Sequence, residues 1–136
     1  MTRISSDLTT DWWDPDLEPD EFRRLGYQAV DMMADYFASI HNLPVFPGKT
    51  SKEVVDAFEE PLPLKGLSAE QILQEWPTRV LPNATHLGSS RYFGYVNGSG
   101  TMLGVLADAL AASVNMNAGG WKAGPAATEI ERRTIT

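Results

Sequence analysis

Apolar residues first fall into register at Phe22, Leu25, Ala29, Val30, Met33, Tyr36, Phe37 and Ile40, spaced three or four apart as on one face of an amphipathic helix. Pro19 suits the first turn of that helix, and Asp20 and Glu21 complement its positive end, so a helix is predicted near 19–40. His41-Asn42-Leu43-Pro44 ends it, because the residue before a proline is pushed out of helical backbone. Ser51 to Phe58 can form a short helix with Val54, Val55 and Phe58 turned inward, after which Pro61-Leu62-Pro63 enforces extended chain. Ser68 and Gln71 are spaced as a capping box, with Leu67 and Ile72 placed as a hydrophobic staple, so another helix is predicted near 68–76. Pro77 deletes a helical donor and predicts a kink or a stop near Trp76.

Further on, Arg91-Tyr92-Phe93-Gly94-Tyr95-Val96 is an aromatic and β-branched run compatible with at most one short strand, closed by the turn residues Asn97-Gly98-Ser99-Gly100. Met102, Leu103, Leu106, Leu110 and Val114 then mark a helix near 101–116. Gly104 and several alanines lie between them, so neighbours can approach it closely on more than one side. Asn117-Ala118-Gly119-Gly120 breaks the chain, Trp121-Lys122-Ala123 connects, and Pro125 opens a last helix near 125–135 that reads as cut rather than finished at Thr136. One strand pattern among four good helices predicts a mainly α chain without a self-contained doubly wound sheet. Residues 1–18 lack helical periodicity and are expected to be a loose leader, in which Trp12 and Trp13 are most simply read as packing residues.

Composition narrows the function. The 136 residues fit one domain, with 43% hydrophobic and 21% charged residues as in ordinary globular proteins. A net charge of −7 argues against binding nucleic acid or anionic membranes, which need clustered Lys and Arg. Without cysteine there is no disulfide, thiolate nucleophile or Cys-based metal site, and no apolar run has the length of a signal core or a membrane span. A cytoplasmic protein is therefore expected. Catalytic constellations are scarce: His41 and His86 are the two histidines, each more ordinarily packed or solvated, and no metal-ligand spacing occurs. Residues 97–100 could cradle a phosphate on backbone N–H groups ahead of a helix, although a plain turn is the more ordinary reading.

Four stretches taken together carry more. Arg91-Tyr92-Phe93-Gly94-Tyr95-Val96-Asn97-Gly98-Ser99, Leu106-Ala107-Asp108-Ala109-Leu110, Asn115-Met116-Asn117-Ala118-Gly119-Gly120-Trp121 and Pro125-Ala126-Ala127-Thr128-Glu129-Ile130-Glu131 resemble, in this order, the group II pyridoxal-phosphate-dependent decarboxylases, which include the aromatic-L-amino-acid, histidine and glutamate decarboxylases. Upstream, Glu21-Phe22-Arg23-Arg24-Leu25-Gly26 and Pro44-Val45-Phe46-Pro47 look like the family's first helix and the segment after it, so the resemblance spans about residues 16–136. It implies the amino-terminal helical segment of a fold type I enzyme without its large α/β domain, wrapped on the partner subunit of a homodimer. It also implies that Tyr95 and Trp121 lie toward an amino-acid substrate and Asn97, Gly98 and Ser99 toward the phosphate of pyridoxal phosphate. The family's Schiff-base lysine follows a histidine; Lys49, Lys52, Lys65 and Lys122 do not, so no catalytic residue is assigned. The family's aspartate for the pyridine nitrogen and its ring-stacking histidine likewise have no match. Ser89-Ser90 stands where many members have His-Pro, and Gly100 where they often have Pro. Little activity is expected from the chain alone, which would act with a complementary large-domain fragment. The competing expectation is a non-catalytic helical homo-oligomerisation module.

Overall fold

The computed structural model describes residues 17–62 and 64–136; Trp12, Trp13, Pro63 and most of the expected leader lie outside them. Among the described residues there are five α-helices and no strand. They fall into two compact units, one ending at Gly94 and one starting at Tyr95.

In the first unit, α1 runs over Pro19–Ser39, as its apolar stripe and its N-terminal proline predict. Helix α2, Ser51–Phe58, starts at Thr50, whose side chain accepts from the Glu53 N–H while Glu53 returns to the Thr50 N–H at 2.7 Å. The same reciprocal pair, Ser68 with Gln71, opens α3, Ala69–Glu75. Both boxes satisfy N–H groups that no helix can satisfy internally. Helix α3 stops where Pro77 requires it. The Leu73 carbonyl, deprived of a donor at Pro77, accepts from the Trp76 N–H instead, and the chain widens into a π-helical turn, Trp76–Val80, followed by a 3₁₀ turn, Leu81–Asn83.

Helix α3 lies along α1, joined by an ion pair between Arg24 and Glu70. Leu25, near the start of α1, and Ile40, just past its end, are the buried large apolar residues among the described residues, each about 5% exposed. The expected inward face of α2 is corrected accordingly. Val54 is half-buried, but Val55 and Phe58 are exposed, because an apolar stripe records which face would be covered and not that anything covers it. Phe58 instead carries the Arg79 guanidinium 4.9 Å above its ring. Leu67 and Ile72, the expected staple, are likewise exposed.

The second unit holds α4, Met102–Val114, and α5, Pro125–Ile135. Thr101 caps α4 by accepting from the Gly104 N–H at 3.0 Å. Asn115 ends it in the left-handed conformation (φ 48°) that Asn tolerates well. No strand forms at residues 91–96. Among the described residues there is no second strand to pair with it, and Tyr95 takes a φ of 56°, outside the extended region.

Candidate functional site

The residues singled out from sequence lie on two loops of the second unit, one before α4 and one after it. Tyr95 is 89% exposed, and its left-handed backbone is rare for a bulky side chain. Asn97, Gly98 and Ser99 are exposed and lead directly to the N-terminus of α4. A Cβ at Gly98 or Gly100 would meet nothing within 4 Å, so an incoming group can approach the backbone there. Of the N–H groups that the first turn of α4 leaves without helical partners, that of Gly104 is already taken by Thr101.

The loop after α4 is more tightly built. The Asn117 carboxamide accepts from the Gly119 N–H at 2.9 Å, and the N–H groups of Ala123 and Gly124 both reach the Gly120 carbonyl at 3.0 Å. Gly124 is buried so close to the Asn117 carbonyl that a Cβ would stand 2.5 Å from that oxygen; only glycine fits. This fold of the loop puts the Trp121 indole N–H 3.2 Å from Glu129 Oε1, an oxygen that also pairs with Arg132 at 3.0 Å. Glu129 was not singled out from sequence, although an acceptor one to two turns into the helix after a tryptophan loop is a usable signal. Helix α4, about 20 Å long at 1.5 Å per residue, separates Ser99 from Asn115.

The first unit contains a groove of about 700 Å³ lined by Met32, Asp35, Tyr36, Trp76, Leu81 and His86 among others. The Tyr36 hydroxyl lies 3.1 Å from His86 Nδ1, and the Tyr36 ring meets Trp76 edge-on at 5.8 Å. Burial pushes the His86 pKa down and the Tyr36 pKa up, since both charged forms lose solvation there. His86, read from sequence as packed or solvated, is packed: it is 3% exposed.

No protein-family model matches the chain. Tyrosine decarboxylase 4 of Petroselinum crispum is 36% identical over 115 residues, 85% of this chain and 23% of its own length. A tyrosine decarboxylase of Oryza sativa subsp. japonica is 40% identical over 120 residues, 85% of this chain and 22% of its own. The chain belongs to the group II pyridoxal-phosphate-dependent decarboxylases. It matches the amino-terminal segment of the family and spans less than a quarter of the length of these relatives. Among solved structures, Oryza sativa TDC with PLP and tryptamine superposes with a TM-score of 0.72 at 25% identity, covering 85% of this chain and 24% of that one. Rhodiola rosea 4-hydroxyphenylacetaldehyde synthase does so at 0.73 and 25%, again over 85% of this chain and 25% of its own.

Proposed function

We propose that this chain supplies the amino-terminal part of a pyridoxal-phosphate-dependent decarboxylase of aromatic amino acids, and that the activity belongs to an assembly containing the rest of the family's length. The observation that carries the reading is 35–40% identity over 85% of the chain with relatives named for tyrosine or DOPA. The partner is a second copy, or a complementary fragment carrying the large domain. The cytoplasm suits a chain with no cysteine, and no helix among the described residues is long and apolar enough to cross a membrane.

The residues fit one end of the cofactor. A phosphate suits residues 97–99, where an accessible backbone precedes a helix N-terminus. The aldehyde end has no match: all four lysines are exposed, Lys49 is held by Asn83 at 2.9 Å and Lys52 by Asp56 at 2.8 Å. Bound cofactor supplies the electron sink for loss of CO₂. Asn97, Gly98 and Ser99 would anchor its phosphate; Tyr95 and Trp121 would shape the pocket around the substrate side chain, with Glu129 fixing the indole. The homo-oligomerisation alternative shares the exposed apolar faces but assigns these loops no ligand.

Mixing the chain with pyridoxal phosphate and L-tyrosine should give no CO₂ and no saturable cofactor absorbance, whereas adding a fragment with the remaining family length should restore both. In that mixture Tyr95→Ala should raise KM about tenfold, the loss of about 1.4 kcal/mol of binding. Turnover by the chain alone, abolished by Lys122→Ala, would overturn the division of labour. Failure of every complementary fragment to restore activity, with the complex formed, would favour the oligomerisation reading.

A further inference from the structure

The contact between Tyr36 and His86 joins residues far apart in the chain and belongs to no role assigned above. His86 fastens residues 84–94, a strap without helix or strand, at two points: its N–H donates to the Val45 carbonyl at 3.0 Å, and its imidazole meets the Tyr36 hydroxyl of α1. Its own carbonyl accepts from the Ser89 N–H at 3.1 Å, so the turn that follows is built on the same residue. A third tie lies farther along the strap, where Arg91 donates to the carbonyls of His41 and Leu43 at 3.2 and 2.6 Å. The ring lies against Tyr36, with centroids 5.5 Å apart, in a groove whose other walls include Leu43, Trp76 and Leu81. Of the attachments, the His86 side chain alone can change charge between pH 5 and 7.

We infer that the contact between Tyr36 and His86 is a proton-sensitive latch that holds residues 84–94 on α1, closed at neutral pH and opened by acid. The neutral imidazole accepts from, or donates to, the phenol at little cost. An imidazolium in the same place must give up water to apolar walls, and the strap can restore that water only by lifting off. The charged and titratable groups around the latch come from each neighbouring segment. From α1, Tyr36 touches the ring and Asp35 lines the same groove; the Asp35 carboxylate favours the cation and so opposes release. Lys49, beyond Val45, is held by Asn83; Arg79 of the π turn by Glu75 and Glu60; and Arg91 by backbone carbonyls. Burial is what lowers the His86 pKa from its ordinary 6.5. The sign follows. A histidine with a lowered folded pKa contributes stability that is fully present above about pH 6.5 and is lost as pH falls toward the folded value. Across that window one extra proton is bound on opening, so the opening constant rises up to about tenfold per pH unit.

The test is amide hydrogen exchange by NMR on the full chain between pH 7.5 and 5, corrected for intrinsic rates, with the two histidine ring resonances followed in the same samples. Protection of the His86 and Ser89 amides should fall up to about tenfold per pH unit below 6.5, while amides in the middle of α1 hold. In His86→Gln the protection, whether high or low, should no longer vary with pH, and in Asp35→Asn the fall should extend to lower pH. If His86→Gln does not fold, the wild-type ring titration decides alone. A His86 resonance titrating at or above 6.5, or a pH-dependent loss that survives in His86→Gln, would overturn the latch.

Discussion

The unit ending at Gly94 and the unit starting at Tyr95 use the same local devices and reach different ends. Both have well-made helix caps: Thr50 and Ser68 in the first, Thr101 and Asn115 in the second. The first adds side chains that reach across long stretches of sequence, such as Arg91 to the Leu43 carbonyl, Arg79 to the Ala57 carbonyl and Tyr36 to His86, and it buries Leu25 and Ile40. In the second, no large apolar side chain is buried among the described residues; Leu103, Leu106, Leu110 and Val114 of α4 are all exposed. Helix α4 is apolar on nearly every side, with Asp108 its one charged residue, as expected of a helix meant to be enclosed. Correct capping fixes where helices begin and end; only a covering surface makes a core.

The difference can be broken most forcefully at Leu25. Leu25→Ala removes a buried side chain between α1 and α3 and should cost the first unit about 2–5 kcal/mol, read from urea unfolding. Next comes Gly124→Ala in the second unit. Its methyl would have to move the Asn117 carbonyl, at a cost of about 1–3 kcal/mol, and should shift the Trp121 indole N–H resonance as the loop opens.

Most of the helical framework was legible because its causes are local. The stripe of α1, the box at Ser68, the break imposed by Pro77 and the proline at the start of α5 each act within a few residues, and the structure places them as predicted. The residue types at 91–96 do not suffice for a strand, since a preference for strand reflects packing against neighbours, and no partner strand is present among the described residues. Burial of Val55 and Phe58 failed for a related reason: periodicity carries no information about what lies opposite. The pairing of Tyr36 with His86, fifty residues apart, has no local signature at all. Of the candidate site, the loops carrying Tyr95, Asn97, Gly98, Ser99 and Trp121 could be named from resemblance, but the acceptor on Trp121 could not.

Smaller effects sharpen the same contrast. Ser68→Ala should cost about 1 kcal/mol by leaving the Gln71 N–H without its cap, visible as a lower urea midpoint at unchanged slope. Leu110→Ser, at a position 71% exposed, should change the stability of the isolated chain by no more than about 0.5 kcal/mol, yet reduce its self-association in sedimentation velocity.

Helix α4 has the apolar surface of a core helix and lies exposed, and hydrogen exchange along it tests whether it awaits a covering partner. In the chain alone, the amides of Leu106 to Leu110 should exchange well before those in the middle of α1. On adding a fragment with the remaining family length, their protection should rise at least about a hundredfold, equivalent to about 2.7 kcal/mol. Protection of α4 equal to that of α1 in a monomeric chain, unchanged by the fragment, would contradict it.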